Sequence, residues 1–209
     1  MDISKMKPDY TIKYIIVGNA YVGKSNIIYR FVENKFSENY KATINLDFSY
    51  KNMKINDKIF RIQLWDTAGQ EEFQSISRGY YKSGACALVV YDITDRETFN
   101  NVSSWVEECK NNGPSTITLV LVGNKIDLED NRQVTYEEGE DFANRNNMQF
   151  YETSALNGTN IDKLFNDTVE SINRKIEENY YKDKDCGIEF NTQNKINLNK
   201  EPPKKKRKC

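Results

Sequence analysis

The sequence predicts a mixed α/β fold, in which a mostly parallel sheet has helices on both faces. Three observations lead to this prediction. Short apolar runs alternate along the chain with helical patterns, two of those runs are apolar almost throughout, and a glycine-bearing loop joins the first run to the first helix. Strand–helix alternation is typical of parallel sheets. Continuous apolar runs indicate strands that are covered on both faces.

The amino-terminal third is predicted to supply a strand, a helix and a hairpin. "YTIKYIIVG" at 10–18 indicates a buried strand that leads into a glycine, and a helix follows from about Lys24 to Asn34. Apolar and polar residues then alternate on either side of "ND" at 56–57, which predicts an antiparallel hairpin.

The remainder alternates strands with helices and then loses its pattern. Further strands are expected in "CALVVYD" at 86–92, "ITLVLVG" at 117–123 and "QFYETSA" at 149–155. Helical patterns occupy 96–110, 136–147 and 160–178. Beyond about Asn179 the chain is polar and has no usable periodicity. We therefore expect a flexible amino terminus at 1–9, one domain at 10–178, and a flexible tail with a basic end at 179–209.

Charge is distributed unevenly along the chain. The net charge is −1, but residues 200–209 contain six Lys/Arg and one Glu and carry +5, which leaves −6 for residues 1–199. An acidic body argues against a folded face that binds nucleic acid. The absence of histidine excludes His-based triads, His–metal sites and imidazole general bases. The four cysteines show no CxxC spacing, which indicates a reducing compartment and core roles for Cys86 and Cys109.

The segment "GNAYVGKS" at 18–25 fits G-x-x-x-x-G-K-[ST], the phosphate-binding loop, and it lies between a predicted strand and a predicted helix. Its glycines let the backbone wrap around phosphates, while loop N–H groups and the helix N-terminus face the negative charge. Lys24 is expected to reach the β- and γ-phosphates, and the Ser25 hydroxyl to bind Mg²⁺. The predicted nucleotide contacts in this region are Gly18, Asn19, Ala20, Tyr21, Val22, Gly23, Lys24, Ser25 and Asn26.

A second motif, "WDTAGQ" at 65–70, ends a predicted strand. A carboxylate there can hold Mg²⁺ through its waters, so Asp66 is a candidate metal-side residue. Gly69 would let a backbone N–H approach the γ-phosphate. Taken alone, Asp66 could equally cap the next helix, but beside a phosphate loop the metal role is favoured.

Two further motifs predict a base site. "NKID" at 124–127 follows a predicted strand, and an Asp carboxylate can accept hydrogen bonds from the N1–H and 2-amino groups of guanine, a donor pair that adenine lacks. Asp127 is therefore predicted to select guanine, with the stem of Lys125 lying on the base. "TSAL" at 153–156 follows the last strand, where the N–H of Ala155 could meet the guanine O6. The predicted base site is completed by Asn124, Ser154 and Leu156.

Together these motifs resemble those of the Ras superfamily of small GTP-binding proteins, over roughly residues 10–178. Within it the chain resembles the Rab family, in "TINLDF" at 43–48, "RIQLWDTAGQEEF", "ISRGYYKSGACALVVYDIT" and "FNNVSSW". The resemblance implies a six-stranded, mostly parallel sheet flanked by helices, the fold of the phosphate-loop small GTPases.

The resemblance also implies roles for four more residues. Thr43 would bind Mg²⁺ and sense the γ-phosphate, Phe36 would contact the guanine edge-on, and Tyr40 would close over the phosphates. Gln70 would orient the attacking water. Because no arginine finger is identifiable in the chain, fast hydrolysis is expected to need an activating protein.

Four positions depart from the family pattern. Asn45 replaces the usual Gly in the effector-binding stretch, Tyr21 is bulkier than the small residues usual there, and Leu156 replaces the commoner Lys. Cys209 stands alone, where paired cysteines or a C-a-a-X ending are usual.

The predicted function is a GTP-binding and GTP-hydrolysing switch in vesicle and membrane traffic, with GTP/GDP and Mg²⁺ as cofactors. Two alternatives stay open: a nucleotide-locked binding module without significant hydrolysis, which the intact "TAGQ" disfavours, and a nuclear small GTPase addressed by "PKKKRK". The expected partners are an exchange factor, a GTPase-activating protein, a prenyl-binding chaperone and effectors at the switch surface (Thr43–Phe48 and Trp65–Tyr81), with no nucleic acid.

The segment "PPKKKRKC" predicts membrane attachment, with a geranylgeranyl-type prenyl group on Cys209. A single lipid chain binds a membrane only marginally, and a neighbouring basic patch adds attraction to anionic lipids. The expected location is the cytoplasmic face of an intracellular or plasma membrane, with cycling through the cytosol.

Overall fold

A seven-stranded sheet organises the described part of the chain. The structure is a computed structural model, and it describes residues 3–37, 47–66, 79, 81–182 and 186–190. Its strands are β1 (Tyr10–Val17), β2 (Asp47–Ile55), β3 (Lys58–Asp66), β4 (Cys86–Asp92), β5 (Thr118–Asn124), β6 (Gln149–Thr153) and β7 (Ile188–Phe190). The strand order is β2-β3-β1-β4-β5-β6, and β7 also pairs with β1.

The pairing within this sheet is mostly parallel. β1 runs parallel to β3 and β4, and β5 runs parallel to β4 and β6. Only two pairs are antiparallel in the described sheet, the β2–β3 hairpin and the β1–β7 pair. The predicted α/β class and six-stranded, mostly parallel sheet are therefore confirmed, and β7 is added to them.

Five α-helices flank the sheet in the described residues: α1 (Lys24–Glu33), α2 (Arg96–Asn100), α3 (Val102–Asn112), α4 (Tyr136–Arg145) and α5 (Ile161–Glu177). Short 3₁₀ helices lie at Ile3–Lys5 and Ile126–Asn131. The helical pattern at 96–110 forms two helices instead of one, and Asn101 caps the end of the first and the start of the second. No helix among the described residues is long and apolar enough to cross a membrane.

Alternation along β1 divides the interior into two cores. Ile12, Tyr14 and Ile16 face the core that α1 and α5 cover, whereas Ile15 and Val17 face the core that α3 and α4 cover. Both faces of the parallel strands are thus buried, which explains why β4 and β5 are apolar almost throughout.

Two cysteines behave as the sequence predicted. Cys86 and Cys109 are both buried and free, one in each core. Burial raises the pKa of the Cys109 thiol to about 12 and also raises the pKa of Cys86. Both thiols are therefore protonated and serve as core residues.

The structure corrects the prediction at both ends of the domain. Ile3–Lys5 form a 3₁₀ helix, and the Asn52 side chain donates hydrogen bonds to the carbonyls of Ile3, Ser4 and Met6. Tyr181, Cys186 and Ile188, all assigned to the flexible tail, are buried in the α1/α5 core. Packing against the domain therefore continues well beyond residue 178.

Candidate functional site

The carboxyl ends of β1, β5 and β6 lie at the same edge of the sheet and lead into loops that line one cavity. Its volume is about 430 Å³, within the range of small-molecule sites. The crevice at the carboxyl ends of parallel strands is where α/β proteins bind their ligands. The lining residues are Tyr21, Gly23, Lys24, Ser25, Asn26, Phe36, Ser37, Asn124, Lys125, Asp127, Leu128, Ala155 and Leu156.

Two glycines fix the path of the loop between β1 and α1. Gly18 has φ +138°, and a Cβ there would lie 2.1 Å from the carbonyl oxygen of Val90. Gly23 has φ +97°, and a Cβ there would lie 2.4 Å from Nδ2 of Asn124. Side chains at either position would collide with neighbouring strands, so the tight loop depends on both glycines.

Lys24 is buried beneath this loop. Its Nζ donates hydrogen bonds to the carbonyl oxygens of Gly18 and Asn19, each at 2.8 Å. Burial lowers the pKa of the Lys24 ammonium to about 8, although the nearby Asp66 carboxylate acts in the opposite direction. A bound anion would favour the charged form, so this site gains electrostatically from a phosphate group.

Ser25 and Asp66 come together from α1 and β3. The Ser25 hydroxyl donates a hydrogen bond to Oδ2 of Asp66, and the Asp66 side chain is buried. A hydroxyl and a carboxylate are hard oxygen donors of the kind that Mg²⁺ prefers. The donor set therefore fits the predicted metal, as far as the described residues provide it.

Asn124 connects two of the loops. It is 1% exposed, and its Nδ2 donates to the carbonyl oxygen of Val22, at 2.9 Å. Its Oδ1 accepts from the Thr153 hydroxyl, at 3.1 Å, and from the Ala155 N–H, at 3.2 Å. One side chain thus holds the glycine loop and the loop after β6 at a fixed separation.

Asp127 lines the cavity from the loop that follows β5. The buried Ser154 hydroxyl donates a hydrogen bond to Oδ1 of Asp127 and so orients its carboxylate. Beside it, Lys125 forms an ion pair with Asp92, with 2.5 Å between Nζ and Oδ2. This pair holds the Lys125 stem along the cavity wall.

Arg30 secures the loop that contains Ala155 and Leu156. Its Nε donates to the Ala155 carbonyl, at 2.9 Å, and its Nη2 donates to the Leu156 carbonyl, at 2.5 Å. Phe36 lies on the same cavity and packs against the α1/α5 core. Phe36 and Leu156 therefore contribute apolar surface to the cavity that Asp127 also lines.

Backbone strain is concentrated at the cavity. Seven non-glycine residues of the described chain have positive φ, and five of them are asparagines, which tolerate this conformation. The other two are Tyr21, at φ 67°, and Lys125, at φ 71°, and both line the cavity. Strain that clusters at one pocket is typical of a functional site.

The structure brings the described predicted residues together. Four predicted residues do not line the cavity but form hydrogen bonds with residues that do: Gly18, Asn19, Val22 and Ser154. Ala20 lies in the turn of the glycine loop. Five predicted residues lie outside the described residues: Tyr40, Thr43, Gly69, Gln70 and Cys209. Most of the predicted switch surface, Thr43–Phe48 and Trp65–Tyr81, lies outside them as well.

Sequence reasoning missed several residues that position the site. Ser37 and Leu128 line the cavity, Arg30 holds the loop after β6, and Asp92 pairs with Lys125. Trp105 donates from Nε1 to Oδ1 of Asn19, at 2.9 Å. Ser37 and Leu128 are next to predicted residues, so proximity could have found them. The other three act across long sequence separations.

Comparisons with known proteins identify a family and related sequences. The model of the Ras family matches residues 13–174, a range that contains all three cavity loops. The Ras-related protein Rab-2B of Dictyostelium discoideum is 45% identical over 171 residues, which cover 82% of this chain and 85% of the relative. The Ras-related protein Rab-11B of the same organism is 39% identical over 199 residues, which cover 95% of this chain and 89% of the relative.

Proposed function

The chain belongs to the Ras family and, within it, to the Rab small GTPases, and on this basis we propose that it is a GTP-driven switch that regulates intracellular membrane traffic. In this proposal it binds GTP and GDP with Mg²⁺ and hydrolyses GTP slowly. An exchange factor and a GTPase-activating protein drive the cycle, and effectors bind only the GTP form.

The combination of groups that line one cavity is the observation that carries this proposal. The glycine loop and the buried Lys24 can offer N–H groups and a cation to phosphates. Asp127, oriented by Ser154, lines the same cavity, where its carboxylate can accept from guanine. A guanine nucleotide presents these complementary groups at its two ends.

Guanine selection is tested at Asp127. The substitution Asp127→Asn exchanges a carboxylate oxygen for an amide that donates, so preference should move from guanine to xanthine nucleotides. A site built to form hydrogen bonds with one nucleotide binds an analogue that lacks the matching groups roughly 10⁴–10⁵-fold less well, which sets the upper size of the expected shift. Titration with GDP, XDP and ADP measures the shift.

Asp130→Asn is the matched control, because Asp130 is exposed on the same 3₁₀ helix, Ile126–Asn131. It should leave all three affinities unchanged. Equal binding of ADP and GDP by the parent protein would contradict the proposed guanine site.

We assign the metal to Ser25, Asp66 and Thr43. When bound, Mg²⁺ would neutralise charge on the β- and γ-phosphates. Ser25 would supply its hydroxyl to the ion and Asp66 would orient the surrounding waters, in the arrangement that their mutual hydrogen bond prepares. Ser25→Asn should weaken GTP binding more than GDP binding and trap the exchange factor. Unaltered GTP affinity in this variant would argue against a metal role for Ser25.

Hydrolysis is assigned to Gln70, which would orient the attacking water while Gly69 and Thr43 hold the γ-phosphate. Single-turnover assays should show slow hydrolysis in the parent, and Gln70→Leu should slow it further without a large change in nucleotide affinity. Gln149→Leu is the control, because Gln149 begins β6 and does not line the candidate nucleotide cavity. If Gln70→Leu hydrolyses GTP as fast as the parent, with and without an activating protein, the assignment fails.

Membrane attachment is assigned to Cys209 and the basic run at 204–208. A prenyl group on Cys209 supplies one signal and the basic residues supply a second, of at most about 1 kcal/mol each near an anionic surface. A prenyl-binding chaperone would return the protein to the cytosol. Fractionation of cells that express the parent or Cys209→Ser tests this: the variant should leave the membrane fraction. Equal membrane retention of both proteins would overturn the role of Cys209, and nuclear accumulation of both would favour the import-signal alternative.

A further inference from the structure

The amino-terminal half of β1 has an edge that β4 does not cover. β4 pairs with β1 only from Tyr14 to Val17. Beside the uncovered half of β1, residues 188–190 (β7) pair antiparallel with Tyr10–Ile12. A segment from beyond the last helix thus completes the sheet at a position where backbone groups would otherwise be left open.

Side chains of this segment are built into the core. Tyr181, Cys186 and Ile188 are 4%, 6% and 8% exposed. Phe190 packs edge-on against Tyr10, with ring centroids 5.6 Å apart. The described residues of this segment, 181–182 and 186–190, are called the tail strap, and they pack against the domain at several points.

Gly187 fits closely against the chain that precedes β4. It has φ +62°, and a Cβ there would lie 2.3 Å from the carbonyl oxygen of Ser83 and 2.7 Å from the backbone N of Ala85. Its carbonyl accepts from the Lys13 N–H, at 3.5 Å, while the Lys13 carbonyl accepts from the Ala85 N–H, at 2.9 Å. Any larger residue at 187 would separate the strap from both β1 and this segment.

The tail strap also shares a cavity with the end of β3. Trp65, Lys13 and Ser83 line a space of which residues 186–190 form one wall. The Lys13 ammonium donates to the Ser83 hydroxyl, at 3.0 Å, and lies 4.5 Å from the centroid of the Trp65 ring. Lys13 therefore contacts the strap through its backbone and Trp65 through its side chain.

Trp65 and Asp66 are consecutive residues that face different sites. Asp66 accepts from Ser25 in the proposed nucleotide site, and Trp65 lines the strap cavity. A ligand that fixes the carboxyl end of β3 through Asp66 must also restrict the position of Trp65. Two adjacent residues on a paired strand thus connect the strap to the nucleotide site.

We propose that docking of the tail strap and occupation of the nucleotide site stabilise each other. The coupling rests on the proposed function, since it needs a nucleotide that engages Ser25 and Asp66. Thermodynamic linkage makes the effect reciprocal: a bound nucleotide strengthens strap docking, and loss of the strap weakens nucleotide binding by the same factor. Couplings of this kind are usually about 5–150-fold.

Hydrogen exchange on the full chain tests the first direction. Amides at 186–190 and the Lys13 amide should exchange at least about 5-fold more slowly with GDP and Mg²⁺ than in the nucleotide-free protein. Fast exchange at these amides in both states would show that the strap does not dock. Protected amides with equal exchange rates in both states would overturn the coupling.

Release of a fluorescent GDP analogue tests the reverse direction. Gly187→Val should undock the strap and speed release at least about 5-fold, and Phe190→Ala, which keeps the backbone pairing possible, should speed it less. Glu189→Gln is the control, because its side chain is exposed on the same strand. If Gly187→Val unfolds, Phe190→Ala decides alone; parental release rates in both variants would overturn the proposal.

The two proposals can fail separately. A parent protein that binds no GDP would overturn the proposed function and the coupling with it, while slow exchange at 186–190 in that same protein would still establish strap docking. GDP binding with unchanged strap exchange would overturn the coupling alone.

Discussion

Asn124 offers the sharpest test of how the site is held together. Asn124→Ala removes the side chain that links Val22, Thr153 and Ala155, and it leaves all three partners in a buried environment. Each lost hydrogen bond costs about 1 kcal/mol, and an unsatisfied buried partner costs about 1–3 kcal/mol. Three lost bonds at the lower figure, about 1 kcal/mol each, give an expected loss of about 3 kcal/mol in the free energy of unfolding.

Thermal and urea unfolding measure this loss. For a chain of this length, 1 kcal/mol corresponds to about 2–4 °C in melting temperature, so the shift should be about 6–12 °C. Weaker GDP binding would add to it, because bound ligand stabilises by RT ln(1 + [L]/Kd). Repeating the measurement at several GDP concentrations separates the intrinsic loss from the change in affinity.

Asn144→Ala provides the matched control, since Asn144 is exposed on α4 and loses no buried partner on truncation. It should change the free energy of unfolding by less than about 0.5 kcal/mol. A loss below about 1 kcal/mol in Asn124→Ala, after extrapolation to zero GDP, would refute the bridging role that the three hydrogen bonds imply.

Three further predictions concern the surroundings of the site. Tyr21→Gly should stabilise the fold by about 0.5 kcal/mol in urea unfolding, because relief of about 1–2 kcal/mol of left-handed strain exceeds the added chain entropy of glycine. Arg132→Ala should cost about 3 kcal/mol, because it leaves the Glu152 carboxylate, 11% exposed, without its 2.6 Å partner. The Glu138 side chain is exposed, and hydrogen bonds from Arg96 and Thr135 lower the pKa of its carboxyl to about 2. Its contribution to the free energy of unfolding is present above pH 4.5 and is lost as pH falls towards 2. Glu138→Gln should therefore flatten the dependence of stability on pH in this window, by less than about 1 kcal/mol at this exposed site.

Controls for these variants come from exposed positions. Arg145→Ala removes an arginine whose side chain is 80% exposed and should cost less than about 0.5 kcal/mol. A similar small cost at Arg132 would show that its ion pairs do not stabilise the fold. Destabilisation by Tyr21→Gly would mean that the tyrosine ring contributes more than its backbone strain removes. If the free energy of unfolding of Glu138→Gln depends on pH between 4.5 and 2 as the parent's does, the Glu138 carboxylate is not a source of that dependence.

Sequence by itself determined the parts of this protein that are local. The tight glycine loop between β1 and α1 could be predicted because its path depends on consecutive residues, and the required glycines sit at fixed spacing in "GNAYVGKS". The β2–β3 hairpin could be predicted because its register depends on one short turn. The strands β4 and β5 were evident from continuous apolar runs, since burial on both faces leaves no room for polar positions.

Only the tertiary structure decided how distant residues support the site. The hydrogen bond from Asn124 to Val22 spans 102 positions, and that from Arg30 to Ala155 spans 125. No local pattern marks either residue as a connector, because the partner is a backbone carbonyl that any residue could supply. The motifs therefore predicted residues that line the cavity, but not which side chains hold their loops in place.

The tail strap shows the same limit most clearly. Three residues are too few to display a periodicity, and the segment around them is polar, so the sequence favoured a flexible tail. The strand forms because β4 leaves one edge of β1 open and because Gly187 can approach the chain at Ser83 closely. Both conditions are properties of the assembled sheet, and neither is encoded in the residues of the tail alone.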